Sequence, residues 1–342
     1  MEIFYFNYID ITYFIFLIFF SYFDFAKKNK KQIIDNIKIH GIVKSHNSRF
    51  GGAIIILFVI FTQAIYSDKS FLSINNTIFF STLIFVSLIG FVDDAFGGIH
   101  YLIKLLFLTF ASFILCITYE DFIFKLSNIY SSDFFLSYEF LSFIFTVIVI
   151  VGFTNALNIS DGANGIASGI ALIIICVFYM QTNLVLFLFL LKFILIFFIY
   201  NIIKGKIFLG DTGSYMLGFF ISSISIYLYN QDKLSISILA TLLSYPSLEI
   251  VFTIIRRFIY NSNPLKPDNG HLHNLIFLKL EKINFFILTS NSITGIIIIS
   301  IFALPGFITF IIINQINHLV FSLIFIMQIL IYIFIYLKLS RA

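Results

Sequence analysis

An all-α, polytopic integral membrane protein is the architecture this sequence predicts, and three observations predict it. Of 342 residues, 60% are hydrophobic and 11% charged, with a mean hydropathy of +1.03. Apolar stretches near the length of a bilayer-spanning helix, about 20 residues, recur throughout. Polar islands interrupt them at regular places. A soluble chain of this size could not hide so much Ile, Leu and Phe.

The runs and breaks place eleven spans near 3–23, 51–66, 77–92, 101–118, 137–153, 165–180, 184–203, 213–229, 234–255, 285–312 and 318–337. The first lacks a basic leader and a small-residue cleavage site, so it reads as a retained span. Cys116 and Cys176 lie in apolar segments, which argues against a disulfide or a thiolate metal site. Odd-numbered connections carry Lys27, Lys28, Lys30, Lys31, Lys38, Lys44 and Arg49; Lys104; Lys204 and Lys206; and Arg256, Arg257, Lys266, Lys279 and Lys282. With Lys338 and Arg341 after the last span, 17 of the 21 basic residues fall on one face. That face is therefore expected to be cytoplasmic, with the N-terminus outside and the C-terminus inside. The basic stretch 25–50 would lie on anionic lipid. No repeat or soluble domain interrupts the pattern, so residues 1–342 read as a single membrane-embedded domain.

Orientation set by Lys and Arg alone puts every polar island on that same face. Val92-Asp93-Asp94-Ala95-Phe96-Gly97-Gly98 places two carboxylates at a helix end, although an acidic side chain costs roughly 3 kcal/mol at a helix centre in lipid. Adjacent carboxylates repel, which favours a shared proton or a divalent cation; hard oxygen ligands suit Mg²⁺ or Mn²⁺. Solvated capping of a helix end is the plainer alternative. Asn155 to Gly165 packs amides, a carboxylate and glycines into one loop, suited to a nucleotide or sugar and equally to an ordinary turn. Phe208 to Ser214 begins a helix whose free N–H groups favour phosphate, with Asp211 as N-cap or metal ligand. Pro264 to Asn274 brings His271 and His273 into one loop, as phosphate donors, proton carriers or plain surface residues. Without a nearby Cys or third His, zinc is disfavoured.

Outside the islands, Lys192 is expected to snorkel or meet a polar neighbour. His40, His46, His100 and His318 read as interfacial. Glu249, three residues after Pro246 within the ninth span, suggests a bent helix with a buried carboxylate beside a cavity.

In this order, the islands resemble the polyprenyl-phosphate N-acetylhexosamine-1-phosphate transferases. The likeness runs from Arg49-Phe50-Gly51-Gly52 to Asn274. Gly90 to Asp94 is similar to the family's GxxDD segment, with Lys104 at its following lysine. Asn158 to Gly169 resembles NxxDGxxGLAxG, with Ile166 for the leucine. Phe208 to Ser214 resembles FxGDxGS, preceded by Asn201, and Pro267-Asp268…His271-Leu272-His273 resembles the histidine loop. His46-Asn47-Ser48-Arg49 replaces the usual PTPR, while Asn269 and Asn274 replace an arginine and a histidine. No HHH cluster is present, which places the chain nearer the O-antigen and teichoic-acid initiators than the phospho-MurNAc-pentapeptide translocases.

The resemblance implies transfer of an N-acetylamino-sugar 1-phosphate from a UDP-sugar to undecaprenyl or a related polyprenyl phosphate. UMP leaves, and cell-surface polysaccharide synthesis begins. It implies that Asp94 and Asp211 hold Mg²⁺, or Mn²⁺ in its place, and that Asp93 deprotonates or orients the lipid phosphate. His271, His273 and Lys104 would balance phosphate charge. Phe208 would stack on uracil near Asn158 and Asp161, and Arg49 and Asn201 would contact substrate. The expected setting is a bacterial inner membrane with a cytoplasmic active site and no nucleic-acid partner; a homodimer is compatible with it. A transporter or flippase would instead scatter charge near mid-bilayer and often repeat its halves. An inactive homologue is the remaining alternative.

Overall fold

The computed structural model describes residues 8–21, 48–65, 76–125, 139–261, 268–283, 288–313 and 317–340. Much of the basic stretch 25–50 and Pro264 to Pro267 thus lie outside the described residues. Fourteen α-helices are described: α1 Tyr8–Ser21, α2 Gly51–Ile65, α3 Asn76–Phe96, α4 Tyr101–Thr118, α5 Glu139–Ser160, α6 Ile166–Thr182, α7 Val185–Lys204, α8 Gly210–Asn230, α9 Ile236–Leu242, α10 Ser244–Ile259, α11 Leu272–Leu280, α12 Ser290–Phe302, α13 Leu304–Ile312 and α14 His318–Ser340. Among the described residues no extended strand occurs; a single parallel bridge joins Ser48 to Ile207.

Helix occupies each of the eleven places where a span is expected. Length and apolarity qualify five helices to cross a membrane, and seven spans result if each bent pair counts as one. The described residues therefore establish a helical membrane-type bundle of five to seven candidate spans. Helix α8 explains part of the shortfall. It carries glycines, serines and tyrosines, yet every residue from Thr212 to Asn230 is buried, because α2, α3 and α5 surround it. A helix that meets other helices instead of lipid needs small residues more than apolar ones. Its hydroxyls turn back onto the backbone: Ser222 Oγ donates to the Gly218 carbonyl at 2.8 Å and Ser223 Oγ to Phe219 at 2.7 Å. Gly90 of α3 lies directly on α8, where a Cβ would collide with the Asp211 backbone.

Two bends shape the C-terminal half. Helices α9 and α10 meet at 77° and α12 and α13 at 42°. In each pair a proline, Pro246 or Pro305, lies in the first turn after the break, where its missing N–H would have continued the preceding helix. Gln328 of α14 donates to the carbonyls of Thr241 and Phe302, and Ser244 Oγ also reaches Phe302 at 3.3 Å. The bend expected beside Pro246 is thus present. Lys192 of α7 finds its polar neighbour in Asp10 of α1, 3.5 Å away.

Candidate active site

The C-terminal ends of α3 and α5 meet the N-terminal ends of α4 and α8, and their polar residues form one cluster. Asp93 Oδ1 accepts the Ile99 N–H at 2.9 Å, folding the turn from α3 into α4. His100 caps α4 through Nδ1. One turn later, Lys104 Nζ donates to Asp93 Oδ2 at 2.6 Å and to Asp211 Oδ2 at 2.7 Å. Asp211 Oδ1 accepts from Asn158 at 3.0 Å, and Asn158 also donates to Ser214 Oγ at 2.8 Å. The ammonium thereby joins α3, α4 and α8, and Asn158 ties α5 to the same cluster.

Asp94 works differently. Its Oδ2 accepts from Thr212 N at 2.8 Å and Thr212 Oγ1 at 2.7 Å, and Oδ1 from Asp211 N at 3.1 Å. It caps α8 from another helix, satisfying first-turn N–H groups that have no intrahelical partner. The side chain is 3% exposed, whereas Arg49, whose Nη1 lies 4.0 Å from Asp94 Oδ1, is 52% exposed. Arg49 is carried there by backbone pairing of Ser48 and Gly51 with Lys206 and Phe208. Phe208 is half-buried on that segment. Asn201 is buried and donates to the Ile207 carbonyl at 2.6 Å, so it braces the loop from beneath.

Asp161 interacts with the charges of Asp211, Asp94 and Arg49, and accepts from the Gly210 N–H. Burial, reinforced by Asp211 and Asp94, pushes its carboxyl well above the usual range. Four carboxylates, Asp93, Asp94, Asp161 and Asp211, thus face two cations, Lys104 and Arg49. That excess of negative charge and the all-oxygen donor set fit a hard divalent cation. Among the described residues no group of three or more His, Cys, Asp or Glu side chains is arranged to hold a metal. Water or ligand oxygens would therefore have to complete its shell.

The histidine loop forms a second cluster. Asp268 accepts from Arg256 Nη2 at 2.8 Å, Arg257 Nε at 2.8 Å and Gly270 N at 2.9 Å. Burial alone would raise its carboxyl; the bonds from Arg257 and Arg256 outweigh this and hold it well below the usual range. His271 and His273 stack face to face, with centroids 5.4 Å apart. Tyr245 Oη lies 2.9 Å from His273 Nδ1. Burial pushes the His273 imidazole down to about 4, against the pull of Glu249. It is neutral near pH 7 and meets Tyr245 by hydrogen bonding. A Cβ on Gly162 would collide with His273 Nε2, so this histidine packs against the Asp161 loop and links the two clusters. Of the two departures in the loop, Asn274 donates to the Asn269 carbonyl at 3.2 Å, closing the turn.

Sequence reasoning missed four contributors: Thr212, Ser214, Tyr245 and Tyr332, whose Oη donates to Glu249 Oε2 at 3.1 Å. The first two lie in the Phe208 to Ser214 island, and the N-cap rule was their available signal. Tyr332 gave none, because it looks like any aromatic residue of an apolar helix.

Residues 76–229 match the sequence pattern of glycosyl transferase family 4. This match covers less than half of the chain. It contains Asp93, Asp94, Lys104, Asn158, Asp161, Asn201, Phe208 and Asp211, while Arg49, His271 and His273 lie outside it. The chain is also similar to an undecaprenyl-phosphate alpha-N-acetylglucosaminyl 1-phosphate transferase of Thermotoga maritima, at 34% identity over 41% of this chain and 44% of that protein. It is similar to two phospho-N-acetylmuramoyl-pentapeptide-transferases. For that of Lactobacillus johnsonii the identity is 32%, over 46% of this chain and 54% of the relative. For that of Staphylococcus saprophyticus it is 28%, over 74% and 84%. The chain spans less than half the length of the Thermotoga protein, and the family match and these relatives agree with the expected resemblance.

Proposed function

We propose that the protein transfers an N-acetylamino-sugar 1-phosphate from a UDP-sugar to a polyprenyl phosphate such as undecaprenyl phosphate. An oxygen of the lipid phosphate bonds to the sugar-bearing phosphorus as the bond to UMP breaks, and UMP departs with the electron pair. The observation that carries this reading is the Asp93–Lys104–Asp211 bridge, within a segment that matches glycosyl transferase family 4 and at the ends of apolar helices.

Phosphoryl transfer needs positioning and positive charge more than covalent chemistry. Lys104 is already shared between two carboxylates and can pass to a phosphate oxygen when one arrives. Asp93, freed from it, orients or deprotonates the lipid phosphate. Asp211 and Asp94 would hold Mg²⁺, Asp94 through Oδ1, which accepts one hydrogen bond among the described residues. Bound there, Mg²⁺ (or Mn²⁺) would neutralise diphosphate charge. Asn158 and Asp161 face the same space, and Phe208 and Arg49 border it.

The Lys and Arg distribution supports eleven crossings in a bacterial inner membrane, with this site cytoplasmic and residues 1–342 acting as one domain. The absence of an HHH sequence supports the O-antigen or teichoic-acid type of initiator. Membranes containing the protein should convert a labelled UDP-N-acetylamino sugar into a lipid diphospho-sugar, and a chelator should stop this. Asp211→Asn should lower the rate by about 10²–10³-fold, the scale for losing one preorganised electrostatic partner. Full activity in Asp211→Asn would overturn the metal assignment. No product with UDP-GlcNAc, UDP-GalNAc or deoxy-amino sugars would overturn the function.

A further inference from the structure

Glu249 is 0% exposed, midway along α10, and has no role in the reaction described above. Its surroundings are built around it. Oε1 lies 2.9 Å from His271 Nδ1. The Leu272 N–H lies 3.2 Å from Oε2, and Tyr332 Oη of α14 donates to Oε2 at 3.1 Å. A carboxylate has no hydrogen to give, so each of these neighbours is a donor and His271 carries its hydrogen on Nδ1. Thr253 Oγ1, 3.4 Å from Nδ1, flanks the same edge of the ring.

The opposite edge of His271 points elsewhere. Nε2 lies 3.8 Å from Asp268 Oδ1, beside the two arginines that hold Asp268. One nitrogen is therefore anchored in the protein interior and the other faces Asp268. Such an anchored imidazole is how proteins fix both the tautomer and the aim of a histidine.

We infer that Glu249, braced by Tyr332, is a positioning residue that fixes His271 with Nδ1 protonated and leaves Nε2 as the ring's free acceptor on the Asp268 side. The inference rests on the transfer activity proposed above only for its kinetic readout. It gives the C-terminal helix α14 a part in the site, although α14 lies outside the family 4 segment. The ligand class addressed by Nε2 is a group that can donate to it, a sugar hydroxyl or a protonated phosphate oxygen, and Glu249 touches none of it. The 77° bend between α9 and α10 and the Gln328 clasp set where Glu249 and Tyr332 meet.

Two readouts on the full-length protein in membranes or detergent test the inference. In the transfer assay, Glu249→Gln should lower kcat about tenfold with KM for the UDP-sugar changed less than twofold, and Tyr332→Phe should lower kcat about threefold. On a His271→Asn background, Glu249→Gln should cost nothing further, because residues acting through one another are not additive. Equal losses on both backgrounds, or an unchanged kcat, would overturn the inference. Nitrogen-15 histidine spectra give the second readout. His271 should carry its proton on Nδ1 in the wild type and lose that preference in Glu249→Gln, with the His273 signal held. A wild-type His271 lacking the Nδ1 preference would overturn the inference even if transfer is robust. If no transfer occurs at all, the function proposed above fails while the spectra still decide this one.

Discussion

The two polar clusters are built from similar residues and solve opposite problems. Around Asp211, four carboxylates meet two cations, and the central ammonium is divided between two partners on different helices. Around Glu249, a single carboxylate fully enclosed in the bundle meets a histidine, a tyrosine and a backbone N–H. The first cluster is left short of positive charge and partly open, as a place that receives a cation and phosphates must be. The second is saturated with donors, and an unpaired ion there would cost several kcal/mol. Shortage of charge marks where ligand goes; complete pairing marks what holds shape.

Lys104→Met strikes the first cluster at its centre. Asp93 and Asp211 lose their shared ammonium, and transfer should fall by about 10²–10³-fold, measured as initial rate in membranes. Folding should be little affected, because the methionine stem keeps the apolar contacts and the carboxylates remain partly hydrated. Wild-type rates in Lys104→Met would show that the bridge is structural, and the contrast between clusters would collapse.

The second cluster should show itself in pH. His273 titrates near 4 when folded and near the ordinary histidine value of about 6.5 when unfolded. Between those values the unfolded chain binds the extra proton, so stability falls as pH drops from about 6.5 toward 4. The loss amounts to at most about 3 kcal/mol. His273→Gln should flatten this slope in melting temperatures measured from pH 7 to pH 4.5 in detergent. An unchanged slope would mean that the imidazole is solvated, not sealed against Gly162.

Sequence patterns exposed the first cluster more fully than the second. Asp93, Asp94, Asp161 and Asp211 announce themselves because carboxylates are conspicuous in an apolar chain. Their meeting follows from helix ends falling on one face. What stayed hidden was partnership: nothing in Val92-Asp93-Asp94 says that one carboxylate takes Lys104 and the next caps α8. Glu249 and Pro246 were legible as a bend with a buried acid. Tyr332 was not, since its partner lies 83 residues away and its hydroxyl sits in a helix made mostly of Ile, Leu and Phe. The eleven expected spans illustrate the converse. Apolar runs located helices well, but hydropathy could not distinguish contact with lipid from contact with protein, as α8 shows.

Asn201 gives the finest test, because its motif position suggests substrate while its geometry suggests structure. Its amide donates to Ile207, and the chain then pairs with Ser48 and carries Phe208 and Arg49 to the rim. Asn201→Ala removes one buried hydrogen bond and strands a carbonyl, a cost of about 1–3 kcal/mol. The expected signature is a lowered melting temperature, with KM for the UDP-sugar rising a few-fold as the rim loosens and kcat nearly unchanged. A fall in kcat without loss of stability would instead place Asn201 on the substrate. The boundary between binding residues and the scaffold beneath them would then move one layer inward.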